Sequence, residues 1–269
     1  MMRKTACFVE IAVQGLLMRI AALFDIHGNL PALDAVLADV RAARVDRIVV
    51  GGDIVVGPMT RDTLARMRAI DLPVDFVYGN CETAVLNRLA GKESKVPPRY
   101  QPIIDWTAEQ HRDDRDVIAR WPLTQRIDVP GVGTVLFCHA TPRNEDEGFL
   151  KTTAEEKIRP LFDNLGADVV VCGHTHMQFD RMVGATQVVN AGSVGMPFGE
   201  PGAYWLLLGP GVELRRTAYD LEDAARRIRE TSYPVAEEFA AKNVLEPPTE
   251  RLMLEIFSKV ELDARAVAR

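Results

Sequence analysis

Cysteine is scarce and scattered in this chain, and that scarcity removes several explanations at once. Cys7, Cys81, Cys138 and Cys172 are the only four in 269 residues, and no two of them form a CxxC pair. A thiolate zinc site or a disulfide framework needs paired, regularly spaced cysteines. Their absence points to a reducing compartment, the cytoplasm. Long apolar runs are also missing, since none approaches the roughly 20 residues that span a bilayer, so no membrane partner is expected. Basic charge is not in excess: 32 Lys and Arg stand against 38 Asp and Glu, a formal net charge of −6. Affinity for nucleic acid rests largely on neutralising phosphates, so a stable nucleic-acid partner is not expected either.

What is present is the composition of an ordinary globular protein, 47% hydrophobic and 26% charged, at a length that suits one large domain with appendages. The first seventeen residues, MMRKTACFVEIAVQGLL, have a basic start and an apolar stretch, but Glu10 and Gln14 interrupt it and no small-residue cleavage site follows. Residues 1–17 therefore read as a leader or upstream extension, with Met18 as the native start.

Strand and helix alternate through the first ninety residues. Strands are expected at Ile20–Phe24, Ile48–Val50 and Val74–Tyr78, and helices from Leu30, Thr60 and Thr83. Such alternation implies parallel strands with crossover helices. In the first helix Leu33, Val36, Leu37 and Val40 recur at i, i+3, i+4 and i+7, Asn29 is a good N-cap, and Pro31 suits the first turn. Short strands at Val135–Cys138, Val169–Cys172, Arg181–Val183, Gln187–Asn190, Tyr204–Leu208 and Val212–Thr217 suggest a second sheet. Between the halves, 91–122 reads as an insertion or cap with one helix from Ile103 to Arg120. Residues 220–269 form a helical C-terminal extension broken at Pro234, Pro247 and Pro248.

Four of the five histidines fall in a series of short motifs: Asp25-Ile26-His27, Gly52-Asp53, Gly79-Asn80-Cys81, His139, and Gly173-His174-Thr175-His176. The fifth, His111, sits among Arg112, Asp113 and Asp114 and reads as a surface residue. Each motif follows an apolar strand, so its polar residues emerge at strand carboxyl ends, where open α/β sheets place their ligands. Asp25 and His27 are two apart, as are His174 and His176, and in an extended segment such pairs point to one side. Imidazole with carboxylate oxygen is a borderline ligand set, suited to manganese, iron, nickel, cobalt or zinc. Two adjacent cations repel, and the Asp53 carboxylate is the candidate anionic bridge between them. Asn80 adds a neutral carbonyl ligand. Two such metals would lower the pKa of a shared water towards about 7 and aim it at phosphorus.

The series D-x-H, G-D, G-N, H, G-H-x-H resembles the calcineurin-like metallophosphoesterase superfamily over roughly Met18 to Thr217. Asn190-Ala191-Gly192-Ser193 likewise resembles its compact bacterial and archaeal phosphodiesterase branch. The resemblance implies an α/β fold of two facing mixed β-sheets flanked by helices, an αββα sandwich over 18–219. It also implies two divalent metal ions, manganese foremost. Carried over by position, Asp25, His27 and His176 would hold one metal, Asn80, His139 and His174 the other, with Asp53 between. The implied activity is hydrolysis of a small phosphate ester, by a phosphodiesterase or an activated-monoester phosphatase. A protein phosphatase, a dinucleoside polyphosphatase and a non-catalytic scaffold of the same fold are the alternatives, and a homo-oligomer stays open.

Two departures from the superfamily pattern stand out. Phe24 occupies the position where serine commonly precedes D-x-H. Cys81 and Glu82 replace the histidine and aspartate that usually follow G-N; the compact branch is similar in carrying cysteine there. In the fuller pattern that histidine is thought to protonate the leaving oxygen or stabilise the transition state. The thiol makes Cys81 a catalytic candidate with a weaker donor and no positive charge, favouring good leaving groups such as aryl esters. Two substrate-binding candidates complete the set. Asn29 opens a helix whose free N–H groups could receive a phosphate oxygen. Arg143 either clamps phosphate or is solvated among Glu145, Asp146 and Glu147. Tyr100 and Trp106 could wall a cleft, and Cys138 and Cys172 read as small buried apolar residues.

Overall fold

The computed structural model describes residues 18–92, 96–260 and 262. The expected leader and the end of the C-terminal extension lie outside them.

Two five-stranded mixed sheets face each other. The first contains β1 (Ile20–Leu23), β2 (Arg47–Val50), β3 (Val74–Phe76), β9 (Ala203–Leu208) and β10 (Val212–Thr217), in the order β10-β9-β1-β2-β3. The second contains β4 (Thr124–Val129), β5 (Gly133–Cys138), β6 (Val169–Cys172), β7 (Phe179–Val183) and β8 (Thr186–Asn190), in the order β4-β5-β6-β8-β7. The pairs β1–β2, β2–β3, β5–β6 and β6–β8 are parallel. This is the expected αββα sandwich, with one change of membership: β9 pairs antiparallel with β1, so the last two strands close the first sheet.

The core explains why the central strands are apolar on both faces. Ile20, Ala22 and Val49 face Val135, Phe137, Val171 and Val189 between the sheets, and Phe24 fills the same layer. Phe24 thus serves the inter-sheet core. Ala21, Leu23, Ile48 and Val50 face the other way, onto the helices of the first layer.

Helix α1 (Leu30–Ala42) buries Leu33, Val36, Leu37 and Val40 as the periodicity predicts, each worth about 1.5–3 kcal/mol against exposure. The Asn29 side chain accepts from the Ala32 N–H and caps it, a contact whose loss typically costs ~1 kcal/mol. Helices α2 (Thr60–Arg68) and α3 (Asn80–Leu89) follow β2 and β3.

The segment after α3 does not stand apart from the core. Its helix is split into α4 (Gln101–Gln110) and α5 (Arg115–Ile118), and Ile104, Ala108 and Ile118 are buried in the same cluster as α1. His111, at the break, is buried rather than on the surface: Nδ1 meets Asp114 Oδ2 at 2.9 Å and Nε2 meets Thr60 Oγ1 at 2.5 Å. Helix α6 (Glu155–Phe162) covers the outer face of the second sheet, next to Cys138 and Cys172, which are buried free thiols as read. The C-terminal extension forms α7 (Leu221–Arg229), α8 (Ala236–Phe239) and α9 (Glu250–Phe257). Tyr233 packs edge-on against Trp106 at 5.3 Å between ring centroids, joining this extension to α4. Among the described residues no helix is long and apolar enough to cross a membrane.

Candidate metal centre

The sandwich brings five loops to one end. Asp25 follows β1, Asp53 follows β2, Asn80 follows β3, His139 follows β5 and His174 follows β6, all at carboxyl ends of strands. The local geometry differs from the extended segments expected for the paired residues. Asp25, His27, Asp53, His174 and His176 all have positive φ, between 47° and 65°. Non-glycine residues rarely adopt that region, and holding five there costs of the order of 1–3 kcal/mol each. Neighbouring backbone holds them in place: Asp25 N–H donates to Gly52 O, His27 N–H to Asp53 O and Gly195 N–H to Asp25 O. The left-handed turns let His174 and His176 diverge, one towards His139 and the other towards Asp25.

The glycines of the motifs are required by close approach. A Cβ on Gly79 would lie 2.2 Å from Asp53 Oδ1, and one on Gly173 would lie 2.4 Å from Asp25 Oδ2.

Three imidazoles are oriented in the same manner. Nδ1 of His27 meets Val56 O at 3.1 Å, Nδ1 of His139 meets Gly51 O at 2.9 Å, and Nδ1 of His176 meets Met196 O at 2.7 Å. A carbonyl only accepts, so each Nδ1 carries the proton and each Nε2 turns a lone pair inwards. Nε2 of His27 and Nε2 of His176 face each other at 3.2 Å. Asp25 Oδ1, buried among them at 3.2 Å from His176 Nε2, accepts no well-directed hydrogen bond. Asp53 Oδ2 lies 3.9 Å from His27 Nε2 and 3.5 Å from His139 Nε2, between the two groups. Asn80 Oδ1 stands 3.0 Å from His139 Nε2 and 2.9 Å from His174 Nδ1. Acceptors thus converge on acceptors among buried side chains, an arrangement that positive charge satisfies.

The proton affinities report the same demand. At His139 burial opposes charge, yet the Asp53 and Asp25 carboxylates outweigh it and push the imidazole up to about 10. His176 moves upward for the same reason, with Asp25 as its partner. Burial and the neighbouring His139 push His174 down to about 4. Asp25 and Asp53 are buried, which favours their neutral forms, but the facing imidazoles hold both below the ordinary carboxylate range. Three overlapping sets among the described residues, Asp25-His27-His176, Asp25-Asp53-His139 and His27-Asp53-Cys81, have ligand atoms close enough to share an ion. The donor set fits divalent transition metals.

Asn80 does not cap its helix. Glu82 takes that part: its carboxylate accepts from the N–H groups of Gly79 (2.7 Å), Asp53 (2.8 Å), Ile54 (2.9 Å) and Val55 (3.1 Å). The Asn80 amide is thereby left to the histidines. Burial and the nearby Asp53 push the Glu82 carboxyl up to about 7, and the hydrogen bonds from Gly79 and Asp53 oppose that rise. Glu82 had no functional signal in the sequence beyond its place in the G-N motif.

The remaining candidates fall at different distances from this cluster. The Cys81 N–H donates to Asp53 Oδ1 at 2.9 Å, and burial with the adjacent Asp53 carboxylate raises the thiol well above its ordinary value, so it stays protonated. The Asn29 side chain is occupied by Ala32 N–H and Gly195 O, which makes it a cap that ties α1 to the Gly195 loop. Arg143 Nε donates to Glu147 Oε2 at 2.9 Å, an ion pair on its own loop. Phe198 stacks on His176 at 5.2 Å, and Met196 supplies the carbonyl that orients the same ring. Neither was singled out as a site residue from the sequence.

A cavity of about 650 Å³ opens beside His27, Asn80 and Cys81. Its other walls come from the 91–122 segment, including Tyr100, and from Met196 and Tyr233. Trp106, the other aromatic expected there, backs the wall through Tyr233.

A fold of this kind has known relatives. The sequence profile of the calcineurin-like phosphoesterase superfamily domain matches residues 18–208. An uncharacterized protein of Methanocaldococcus jannaschii is 28% identical over 238 residues, covering 80% of this chain and 93% of that protein. The crystal structure of a metallophosphoesterase from Sphaerobacter thermophilus superposes with a TM-score of 0.66 at 26% identity, over 84% of this chain and 99% of its own. A hypothetical protein of Pyrococcus horikoshii OT3 shares the fold with a TM-score of 0.73 at 18% identity, over 86% of this chain and 100% of its own. The chain belongs to the calcineurin-like phosphoesterase superfamily. It is a metal-dependent phosphoesterase, a hydrolase of phosphoric ester bonds.

Proposed function

We propose that this protein is a two-metal phosphoester hydrolase acting on phosphodiesters or activated monoesters, with manganese as its foremost metal. The observation that carries the reading is the convergence of the His27, His139 and His176 Nε2 atoms on Asp25 and Asp53, each ring fixed through Nδ1 by a backbone carbonyl. Asp25, His27 and His176 would hold one cation and Asn80, His139 and His174 the other, with Asp53 Oδ2 shared. Two divalent cations held by these residues would supply Lewis acidity for activating water and neutralising phosphoryl oxygens.

The chain's own residues do the rest. Asp53 is oriented by the Cys81 N–H on Oδ1, which turns Oδ2 towards both histidine groups. Asn80 contributes a neutral oxygen and leaves the net charge of the site unchanged. The protonated Cys81 thiol lines the cavity as a weak donor, so turnover favours leaving groups that need little protonation. The buried free thiols Cys138 and Cys172 fit a reducing cytoplasm. The experiment is hydrolysis of bis(p-nitrophenyl) phosphate by the manganese-supplemented protein, with Asp53→Asn as the blank. Turnover lost in Asp53→Asn and after chelation supports the reading. Two bound metals with no hydrolysis would favour the scaffold instead.

A further inference from the structure

The cavity beside the metal centre carries information about the substrate that the ligands do not. It begins at Cys81 and Asn80 and runs away from the ligands between the 91–122 segment and the C-terminal extension. Apolar groups dominate its wall, from Val56 and Met196 beside the histidines to Tyr100, Ile103, Ile104 and Tyr233. Among the described residues lining it there is no lysine or arginine, and its only charged side chains beyond the centre are the carboxylates Glu145 and Asp146. Glu145 accepts from Thr83 Oγ1 at 2.9 Å, which fixes it on the cavity wall. At about 650 Å³ the cavity is within the range of roughly 300–1,000 Å³ that suits a small organic molecule and far exceeds what one phosphoryl group fills.

Such a wall discriminates by charge. A second phosphate entering here would meet carboxylates and apolar side chains, with no lysine or arginine among the described lining residues to pair it, a placement that is unfavourable in a site of reduced dielectric. An aryl or comparable apolar group, by contrast, buries its surface between Tyr100, Ile104 and Tyr233. We infer that the cavity is the specificity pocket for an uncharged, ring-sized apolar group esterified to a single phosphate, and that the enzyme rejects polyphosphate substrates. This inference rests on the phosphoesterase reading and narrows it. It disfavours the dinucleoside polyphosphatase alternative on a ground independent of Cys81.

Product-like phosphonates test it without requiring turnover. Calorimetric titration of the manganese-loaded full chain with phenylphosphonate, methylphosphonate and pyrophosphate separates the phosphoryl contribution from that of the organic group. Phenylphosphonate is expected to bind at least tenfold more tightly than methylphosphonate, since a ring adds several buried carbons. Pyrophosphate is expected to show no such gain. In Tyr100→Ala, at a half-exposed rim position that folding tolerates, phenylphosphonate affinity should fall about fivefold while methylphosphonate affinity holds. Equal affinities for phenyl- and methylphosphonate, or pyrophosphate binding tightest, would overturn the inference and leave the phosphoesterase reading standing. Failure of every phosphonate to bind, together with no hydrolysis of bis(p-nitrophenyl) phosphate, would overturn both.

Discussion

Replacing Glu82 by Gln tests how the site is held together. The native carboxylate takes four backbone N–H groups, with Gly79 and Asp53 on Oε2 and Ile54 and Val55 on Oε1. An amide of the same shape has one oxygen, and its NH2 group must face two of those donors. Two buried N–H groups are then left without an acceptor, at about 1–3 kcal/mol each. A net loss of about 3–5 kcal/mol is expected, a large share of the roughly 5–15 kcal/mol that holds a typical domain. At about 2–4 °C per kcal/mol for a chain of this size, Tm should drop by roughly 6–20 °C. The same bonds fix the loops that carry Asp53 and Asn80, so manganese affinity should also fall, by about 10–100-fold as for other residues that orient metal ligands. Scanning calorimetry of the chelated protein at about pH 8.5, above the Glu82 pKa of about 7 so that the carboxylate is the form compared, reads the first effect, and a manganese titration reads the second. A Tm change under about 2 °C with unaltered manganese affinity would show that Glu82 does not organise the loops.

Three further outcomes follow from particular contacts. Gly79→Ala places a Cβ 2.2 Å from Asp53 Oδ1, so phosphoesterase activity should fall by at least a hundredfold, whereas Gly211→Ala, with open space around it and no left-handed φ, should leave activity unchanged. Burial holds the His111 pKa below its ordinary 6.5, with Asp114 opposing. A depressed folded pKa means that the stabilisation is present above the unfolded value and is lost as pH falls, so the Tm gap between parent and His111→Ala should be widest near pH 7.5 and shrink towards pH 5; a gap that widens on acidification refutes the assignment. Cys81→His should raise turnover of alkyl phosphate esters relative to aryl esters, by about tenfold or more if the histidine protonates the leaving oxygen. An unchanged ratio of alkyl to aryl turnover would remove Cys81 from the chemistry.

The positions of Asp25, Asp53, Asn80, His139 and His174 were legible because parallel strands deliver their carboxyl ends to one side, and an apolar run before each motif marks where a strand stops. The local conformation was not legible. Spacing of two suggested extended segments, while the left-handed φ values of Asp25, His27, His174 and His176 depend on hydrogen bonds from loops far away in the chain. Strand β4 escaped notice because Thr124–Val129 is an edge strand with exposed Arg126 and Asp128 and lacks a continuous apolar run. Sheet membership of β9 is decided by its pairing with β1, nearly two hundred residues earlier, to which no local pattern points. His111 was misread from its charged neighbours: Arg112 and Asp113 are exposed, but the ring turns inward to Thr60. The contributions of Met196 and Phe198 to the His176 ring likewise exist only once the chain has folded.

Anomalous diffraction from manganese-loaded crystals measures the arrangement on which all of this depends. Two peaks about 3.5–4 Å apart are expected, one beside Asp25, His27 and His176 and the other beside Asn80, His139 and His174, with Asp53 Oδ2 between them. A single peak, or manganese bound away from Asp53, would contradict the two-metal account.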